Sequence, residues 1–158
     1  MPLFNLPDLR AQLPPDHRLL GIDPGQRQIG LALSDVSLML ASPLTTLKRG
    51  KLSAFVGEIT RLGQREAIGG FIMGLPLSLD GGFGPAAQAA RDWATSLSDM
   101  TGLPGALWDE RLSSSAVNRM LIGDMDMTRK RRAEVVDKVA AAYILQAALD
   151  TLGNLPGA

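Results

Sequence analysis

Residues 18–34, RLLGIDPGQRQIGLALS, constrain the fold more than any other stretch, because two short apolar runs flank a polar turn. Residues 19–22 end at Asp23-Pro24-Gly25, and residues 29–33 form the second run. Apolar runs of this length, bounded by Pro, Gly and polar residues, are typical of β-strands. The stretch therefore predicts a strand, a turn and a second strand, with one carboxylate ending the first strand. On its own, an Asp before Pro-Gly is more often a turn former than a functional group.

The next segments alternate between strand and helix patterns. Residues 38–44 predict a third strand, with Ser42-Pro43 marking its edge or its end. Residues 51–65 carry apolar side chains at helical spacing on one face. Residues 67–73 are apolar at both odd and even positions, which is typical of a strand buried on both sides.

The second half of the chain continues this alternation. A helix is expected from Pro85 to a stop at Gly102, followed by a strand at residues 105–108 and helices at residues 113–122 and 133–149. Helix–strand alternation after a meander implies right-handed crossovers to parallel strands. We therefore expect an α/β fold with a mixed five-stranded sheet. Strands 1 to 3 form an antiparallel meander, strands 1, 4 and 5 are parallel, and helices cover both faces.

One domain accounts for most of the chain, at residues 17–152. Prolines at positions 2, 7, 14 and 15 prevent a long helix near the start, so residues 1–16 are expected to form a flexible N-terminal arm. This start also lacks the pattern of a secretory signal. Residues 153–158 are expected to be a frayed tail.

Composition excludes several classes of site. The chain of 158 residues has no cysteine and one histidine, which excludes disulfides, thiolate zinc sites and a cysteine nucleophile, and fits a reducing cytoplasm. Lys+Arg and Asp+Glu are both 16, so a nucleic acid would have to be met by a local basic patch. The sequence has no run of eighteen apolar residues, so no membrane span is expected.

Acidic and glycine-rich segments are predicted at the ends of three strands. Asp23 ends the first strand, Gly74-Leu75-Pro76 ends the fourth, and Asp109-Glu110 ends the fifth. Ligands gather outside the carboxyl ends of parallel strands, so neighbouring strands would bring these residues to one edge.

Asp137 adds a carboxylate within an otherwise apolar part of the last helix, where burial is costly unless the group is paired. A salt bridge to Lys138 or Arg132 explains this residue as well as a functional role does. Converging carboxylates suit Mg²⁺ or Mn²⁺. Two such ions about 4 Å apart can orient a water and stabilise a leaving oxygen, which predicts phosphodiester hydrolysis.

Four segments in this order carry a specific resemblance: IDPGQRQIGLA, GLPLSLDGG, WDERLSS and EVVDKVAAAYILQ. Over residues 18–150 they resemble the YqgF family, also called RuvX, of proposed pre-16S rRNA nucleases and Holliday junction resolvase-like proteins. The resemblance implies a ribonuclease H-like fold and a cytoplasmic, metal-dependent nuclease that matures the 5′ end of 16S rRNA.

By position, the resemblance implies that Asp23, Glu110 and Asp137 are the catalytic and metal-binding acids. A strand would point the adjacent Asp109 to the face opposite Glu110, so Glu110 ranks first and Asp109 is a candidate support for metal binding. The loops that shape the site would contribute Gly25, Gly74, Pro76, Asp80 and Gly81. The chain has Arg27-Gln28 where the family commonly has Lys-Arg, so one basic side chain is lost.

Basic residues near these acids are candidates to hold nucleic-acid phosphates: Arg27, Arg111, Arg129, Lys130, Arg131 and Arg132. A basic run before a helix is more often a solvated face, but the run at 129–132 precedes Asp137 by only a few residues. The expected partner is nucleic acid, with an rRNA precursor first and branched DNA second. Ribosomal particles are further candidate partners, no membrane is expected, and the protein would be a monomer or homodimer.

Other functions remain open from the sequence. A resolvase of branched DNA would use the same acids and metals, and a non-catalytic RNA-binding ribosome-assembly factor is compatible with the basic run. Gly82-Phe83-Gly84 opens a helix as in dinucleotide-binding proteins, but a loop separates it from the preceding strand. The Asp23-Pro24-Gly25 turn could hold nucleotide phosphates as in actin-like kinases, but those need two such domains flanking the nucleotide, and this chain has the length for one.

Overall fold

The computed structural model describes residues 3–25, 27–76, 82–110 and 129–154, with the backbone alone for residues 129–136. This part of the chain contains five strands and four helices. In order they are α1 (Leu6–Gln12), β1 (Arg18–Pro24), β2 (Gln28–Ser34), β3 (Ala41–Lys48), α2 (Leu52–Arg65), β4 (Ile68–Leu75), α3 (Pro85–Thr101), β5 (Gly105–Asp109) and α4 (Arg129–Gly153). The helix predicted at residues 113–122 lies outside the described residues.

The strands form one sheet in the order β3-β2-β1-β4-β5. β2 pairs antiparallel with both β1 and β3, whereas β4 pairs parallel with both β1 and β5. The predicted mixed α/β sheet is confirmed. β3 runs in the same direction as β1, so the carboxyl ends of β1, β3, β4 and β5 all lie at one edge of the sheet.

Helices cover both faces of the sheet, as predicted. On one face Leu20 belongs to a core that includes Phe55 of α2 and residues of α3, and on the other Leu19 packs with Ile144 of α4. Successive residues of a strand point to opposite faces. Asp23 has the parity of Leu19, so its side chain lies on the face covered by α4.

β3 begins three residues after the predicted start and extends four residues past the predicted end. The Asp35 carboxylate accepts hydrogen bonds from the amides of Met39 (2.8 Å) and Leu40 (3.1 Å), which holds the preceding residues as a loop. Leu38 has φ 58° in this loop, a conformation incompatible with a strand. The edge position predicted from Pro43 is confirmed, since β3 is the outermost strand.

Residues 3–16 require a correction, because they pack against the domain rather than extend as a loose arm. Asn5 caps α1 by accepting a hydrogen bond from the amide of Asp8 at 2.9 Å. Leu9 is fully buried in the core beneath α4, and the Phe4 amide donates to the Gly105 carbonyl at 2.8 Å. The prolines limit α1 to 7 residues, but they do not prevent docking.

α4 begins at Arg129, four residues before the predicted start, so residues 129–132 form its first turn rather than a run that precedes it. It ends at Gly153, and residues 155–158 of the predicted tail lie outside the described residues. α3 stops where expected, with Gly102 at φ 76°. Within the described ranges, no helix has the length and apolar character needed to cross a bilayer.

Candidate active site

The site begins at Asp23, near the carboxyl end of β1. The residue is only 3% exposed, and its backbone pairs with Gly30 of β2. Just beyond it the chain turns sharply, because the Gly25 amide donates to the Asp23 carbonyl at 2.9 Å. The strand ladder therefore fixes the backbone of this carboxylate at the edge of the sheet.

Glu110 reaches the same edge from β5, directly after the last residue of that strand. Gly74 of β4 allows this approach, because a β-carbon there would lie 2.5 Å from the Glu110 Oε1 and 2.8 Å from the Ile144 Cδ1. Real side chains do not tolerate such distances. The absence of a side chain at Gly74 therefore lets Glu110 and α4 lie close to β4.

Asp137 is brought to the sheet by a second close approach. A β-carbon at Gly30 would overlap the Asp137 carbonyl oxygen, and one at Gly21 would lie 3.0 Å from the Ala141 oxygen and 2.8 Å from the Leu145 Cβ. Because these two glycines have no side chains, the α4 backbone packs closely against β1 and β2. The helix therefore carries Asp137 over the end of β1.

The three predicted acids line one cleft of about 390 Å³ at this edge. Among the residues that the structure describes, its lining is formed by Asp23, Pro24, Gly25, Pro76, Ala86, Glu110 and Asp137. Two loop residues expected to shape the site, Gly25 and Pro76, are among them. Gly74 lies against Glu110 instead of in the lining.

The remaining predicted residues are placed differently. Asp109 is half-buried and does not belong to the lining of this cleft. Arg27 is exposed on the turn between β1 and β2 and does not line it either. Asp80, Gly81 and Arg111 lie outside the described residues, as do the side chains of Arg129, Lys130, Arg131 and Arg132.

The chemistry of the cleft fits a hard divalent cation, because the ionisable groups that line it within the described part of the chain are all carboxylates. As the side chains lie, the described part of the chain has no group of three or more His, Cys, Asp or Glu arranged to hold a metal ion.

The structure gives a reason for glycine at position 25 that the sequence did not indicate. A β-carbon at this position would overlap the Gln28 carbonyl oxygen and lie 3.7 Å from the Asp137 Oδ1. The sequence predicted Gly25 only as one of the loop residues that shape the site. The contacts show first that it permits the tight turn beside Asp137.

Arg49 is a residue of this region that sequence reasoning missed. It follows β3, and its guanidinium donates to the Gly25 carbonyl at 2.8 Å, while its amide donates to the Arg27 carbonyl at 2.9 Å. The guanidinium also lies 5.0 Å from the centre of the Trp93 ring. Only the strand order, which brings the end of β3 to this edge, reveals the connection.

A model of the RuvX family, described as Holliday junction resolvase, matches residues 17–151. The chain belongs to the RuvX family. This confirms the resemblance drawn from the four sequence segments.

Curated relatives of this RuvX protein extend over almost the whole chain. One from Gluconacetobacter diazotrophicus is 70% identical over 150 residues, which cover 95% of this chain and 97% of the relative. One from Gluconobacter oxydans is 62% identical over 150 residues, with 95% and 94% covered. Both carry the name "Putative pre-16S rRNA nuclease".

Among solved structures, RuvC from T. thermophilus in complex with a Holliday junction substrate is similar in fold. The TM-score is 0.54 at 14% identity, covering 87% of this chain and 96% of RuvC. At that identity the similarity concerns the fold alone. It agrees with the predicted ribonuclease H-like architecture.

Proposed function

We propose that this RuvX protein is a metal-dependent nuclease that hydrolyses phosphodiester bonds during 5′-end maturation of pre-16S rRNA. The observation that carries the proposal is the cleft in which Asp23, Glu110 and Asp137 meet. The names of the close relatives support the substrate. Since bacterial rRNA precursors are processed in the cytoplasm, the proposal includes a cytoplasmic location.

Asp23, Glu110 and Asp137 are the residues that would hold Mg²⁺ or Mn²⁺, and Asp109 is a candidate support just outside the cleft. When bound, a pair of such ions supplies an activated water and charge stabilisation at the leaving oxygen. The carboxylates lie on three different elements, β1, the end of β5 and α4.

The start of α3 provides the cleft with a feature that suits a phosphate. Ala86 lines the cleft from the first turn of α3, so the N-terminus of this helix borders the site. Backbone amides at the start of a helix favour anions. A phosphodiester in the cleft would thus lie near this helix terminus as well as near the three acids.

The test is the loss of cleavage in Asp23→Asn, Glu110→Gln and Asp137→Asn, each assayed with Mg²⁺ and with Mn²⁺. Asp150→Asn is a matched control, because Asp150 lies on α4 about 20 Å along the axis from Asp137. We expect each of the three variants to lose cleavage while retaining its thermal transition, and the control to remain active. Normal cleavage by two of the three would refute the site.

The substrate is tested by comparing precursor rRNA 5′ ends, single-stranded RNA and four-way DNA junctions, with EDTA as a control. A branched-DNA resolvase is the second candidate, favoured by the family description and by the fold shared with RuvC. Preferential junction cleavage would select it, and that function would also require a homodimer rather than a monomer. Metal-independent binding without cleavage of any substrate would instead indicate an assembly factor on ribosomal particles.

The first turn of α4 is proposed to contact substrate phosphates through Arg129, Lys130, Arg131 and Arg132. Its backbone lies about 7 to 12 Å along the helix axis from Asp137. Replacing all four with Gln should weaken RNA binding and lower the slope of log affinity against log salt by about 0.7 per lost contact. An unchanged slope would exclude this turn as a phosphate contact, and Arg27 and Arg111 would remain to be tested the same way.

A further inference from the structure

Arg49 joins two parts of the molecule that are far apart in sequence. Its guanidinium donates to the Gly25 carbonyl at 2.8 Å, and its own amide donates to the Arg27 carbonyl at 2.9 Å. Both acceptors belong to the turn between β1 and β2. Two hydrogen bonds from one residue therefore hold this turn against the end of β3.

Arg49 is itself held in place by aromatic side chains. The guanidinium lies over Trp93 of α3 at 5.0 Å from the ring centre, and Trp93 stacks on the buried Phe55 of α2 at 4.6 Å. A guanidinium can place its face on a ring while its N–H groups donate in its own plane. The Arg49 side chain is thus fixed against the core between the sheet and the two helices on that face.

The held turn carries one wall of the acid cleft. Gly25 lines the cleft, and a β-carbon at Gly25 would be 3.7 Å from the Asp137 Oδ1. The same turn follows Asp23 directly. A displaced turn would therefore alter the space in which the two carboxylates must meet around an ion.

We propose that Arg49 is a positioning residue of the RuvX active site, which fixes the turn at Gly25 and thereby sets the geometry of the metal-binding carboxylates. This inference rests on the proposed metal-dependent nuclease. Arg49 acts through the turn rather than on the substrate. Residues that orient metal ligands in this indirect way typically change metal affinity or activity by about 10- to 100-fold when they are replaced.

The charge of Arg49 and its positioning contacts have opposite effects on Mn²⁺ affinity, which makes the inference testable. A cation near the acids opposes the binding of another cation, so removing Arg49 would tighten Mn²⁺ binding if only its charge mattered. Loss of a positioning contact weakens Mn²⁺ binding instead. Arg49→Lys keeps the charge, but its single ammonium cannot lie on Trp93 and donate to Gly25 with the geometry of a guanidinium.

The experiment compares wild type, Arg49→Met, Arg49→Lys and the control Arg65→Met. Arg65 is an arginine that pairs with Glu66, but it ends α2 and lies at the opposite edge of the sheet. Mn²⁺ binding is measured by calorimetry, cleavage by kcat and KM, and amide exchange of residues 23–29 in the metal-free protein by mass spectrometry. Thermal unfolding shows that each variant is folded.

We expect both Arg49 variants to bind Mn²⁺ about tenfold more weakly, to lose kcat more than KM, and to exchange faster at residues 23–29, with Arg65→Met unchanged. Tighter Mn²⁺ binding by Arg49→Met, with Arg49→Lys equal to wild type, would overturn the inference in favour of a charge effect. A lower melting temperature with unchanged Mn²⁺ affinity and kcat would reduce Arg49 to a purely structural residue. Failure of the wild type to bind Mn²⁺ or to cleave would instead refute the proposed function.

Discussion

Gly30→Ala is the substitution that most directly tests how the site is assembled. The added β-carbon would overlap the Asp137 carbonyl oxygen and lie 3.0 Å from the Lys138 amide nitrogen. Both atoms belong to the helix backbone, so no side-chain rotation relieves the overlap. Non-bonded contacts become favourable from about 3.5 Å, so α4 must retreat from β2 by roughly 1.5 Å.

This retreat should affect stability and activity to different extents. Overpacking of this kind costs about 1–3 kcal/mol, which lowers the melting temperature of a domain of this size by several degrees. The same movement carries Asp137 away from Asp23 and Glu110. A misplacement of about 1 Å can cost about 100-fold in rate, so kcat should fall by about two orders of magnitude in protein that remains folded.

Gly21→Ala is the matched control on the neighbouring strand. Its β-carbon would meet the Leu145 Cβ at 2.8 Å and the Ala141 oxygen at 3.0 Å, so a smaller retreat suffices, at least one helical turn beyond Asp137. We expect comparable destabilisation and a much smaller loss of kcat. Urea unfolding and single-turnover cleavage of the two variants provide the comparison. Equal loss of kcat for equal loss of stability would refute the argument that Gly30 positions Asp137.

Three further predictions concern stability alone. Leu9→Ala should lower the free energy of unfolding by about 2–5 kcal/mol in urea titrations, since Leu9 is fully buried, whereas a loose arm would give no change. Gly63→Ala should raise the free energy of unfolding by up to about 1 kcal/mol, because a β-carbon at this position of α2 meets nothing within 4 Å. Hydrogen bonds from the Ser37 hydroxyl and from the amides of the loop lower the pKa of Asp35 from its ordinary 3.8. Asp35→Ala should therefore lower the melting temperature at neutral pH. The difference from wild type should shrink as acid protonates the carboxylate.

Local pattern was sufficient for most of the fold. Each strand, and each helix after α1, has a hydrophobic period or a terminal residue that identifies it, such as Gly102 at the end of α3. The errors fall where a contact overrides the local pattern. Hydrogen bonds to the Asp35 carboxylate hold a loop, so β3 begins later than the pattern predicts. Burial of Leu9 holds α1 against the domain despite the prolines that flank it.

The candidate acids could be named from the sequence, because Asp23 and Asp109-Glu110 stand at predicted strand ends, Asp137 interrupts an apolar helix, and the family resemblance singled out Glu110 and Asp137. Their convergence depends on sheet order, which no local pattern encodes. Arg49 illustrates the limit, since it precedes a predicted helix and lies 24 residues from Gly25, the residue whose carbonyl it holds. Nothing near it in the sequence indicates that it contacts the site.

The site depends on glycines as much as on acids. Gly30 admits the α4 backbone to the sheet, Gly74 admits Glu110, and Gly25 permits the turn beside Asp137. Aspartate and glutamate side chains are short, so carboxylates from three elements can meet only if the backbones that carry them approach closely. At Gly30 and Gly25 an added β-carbon would meet backbone atoms, so a side chain there must displace the segments that carry the acids, whereas at Gly74 it would meet side-chain atoms of Glu110 and Ile144 that can shift. Gly30 and Gly25 should therefore prove sensitive to substitution, even though they contribute no ligand.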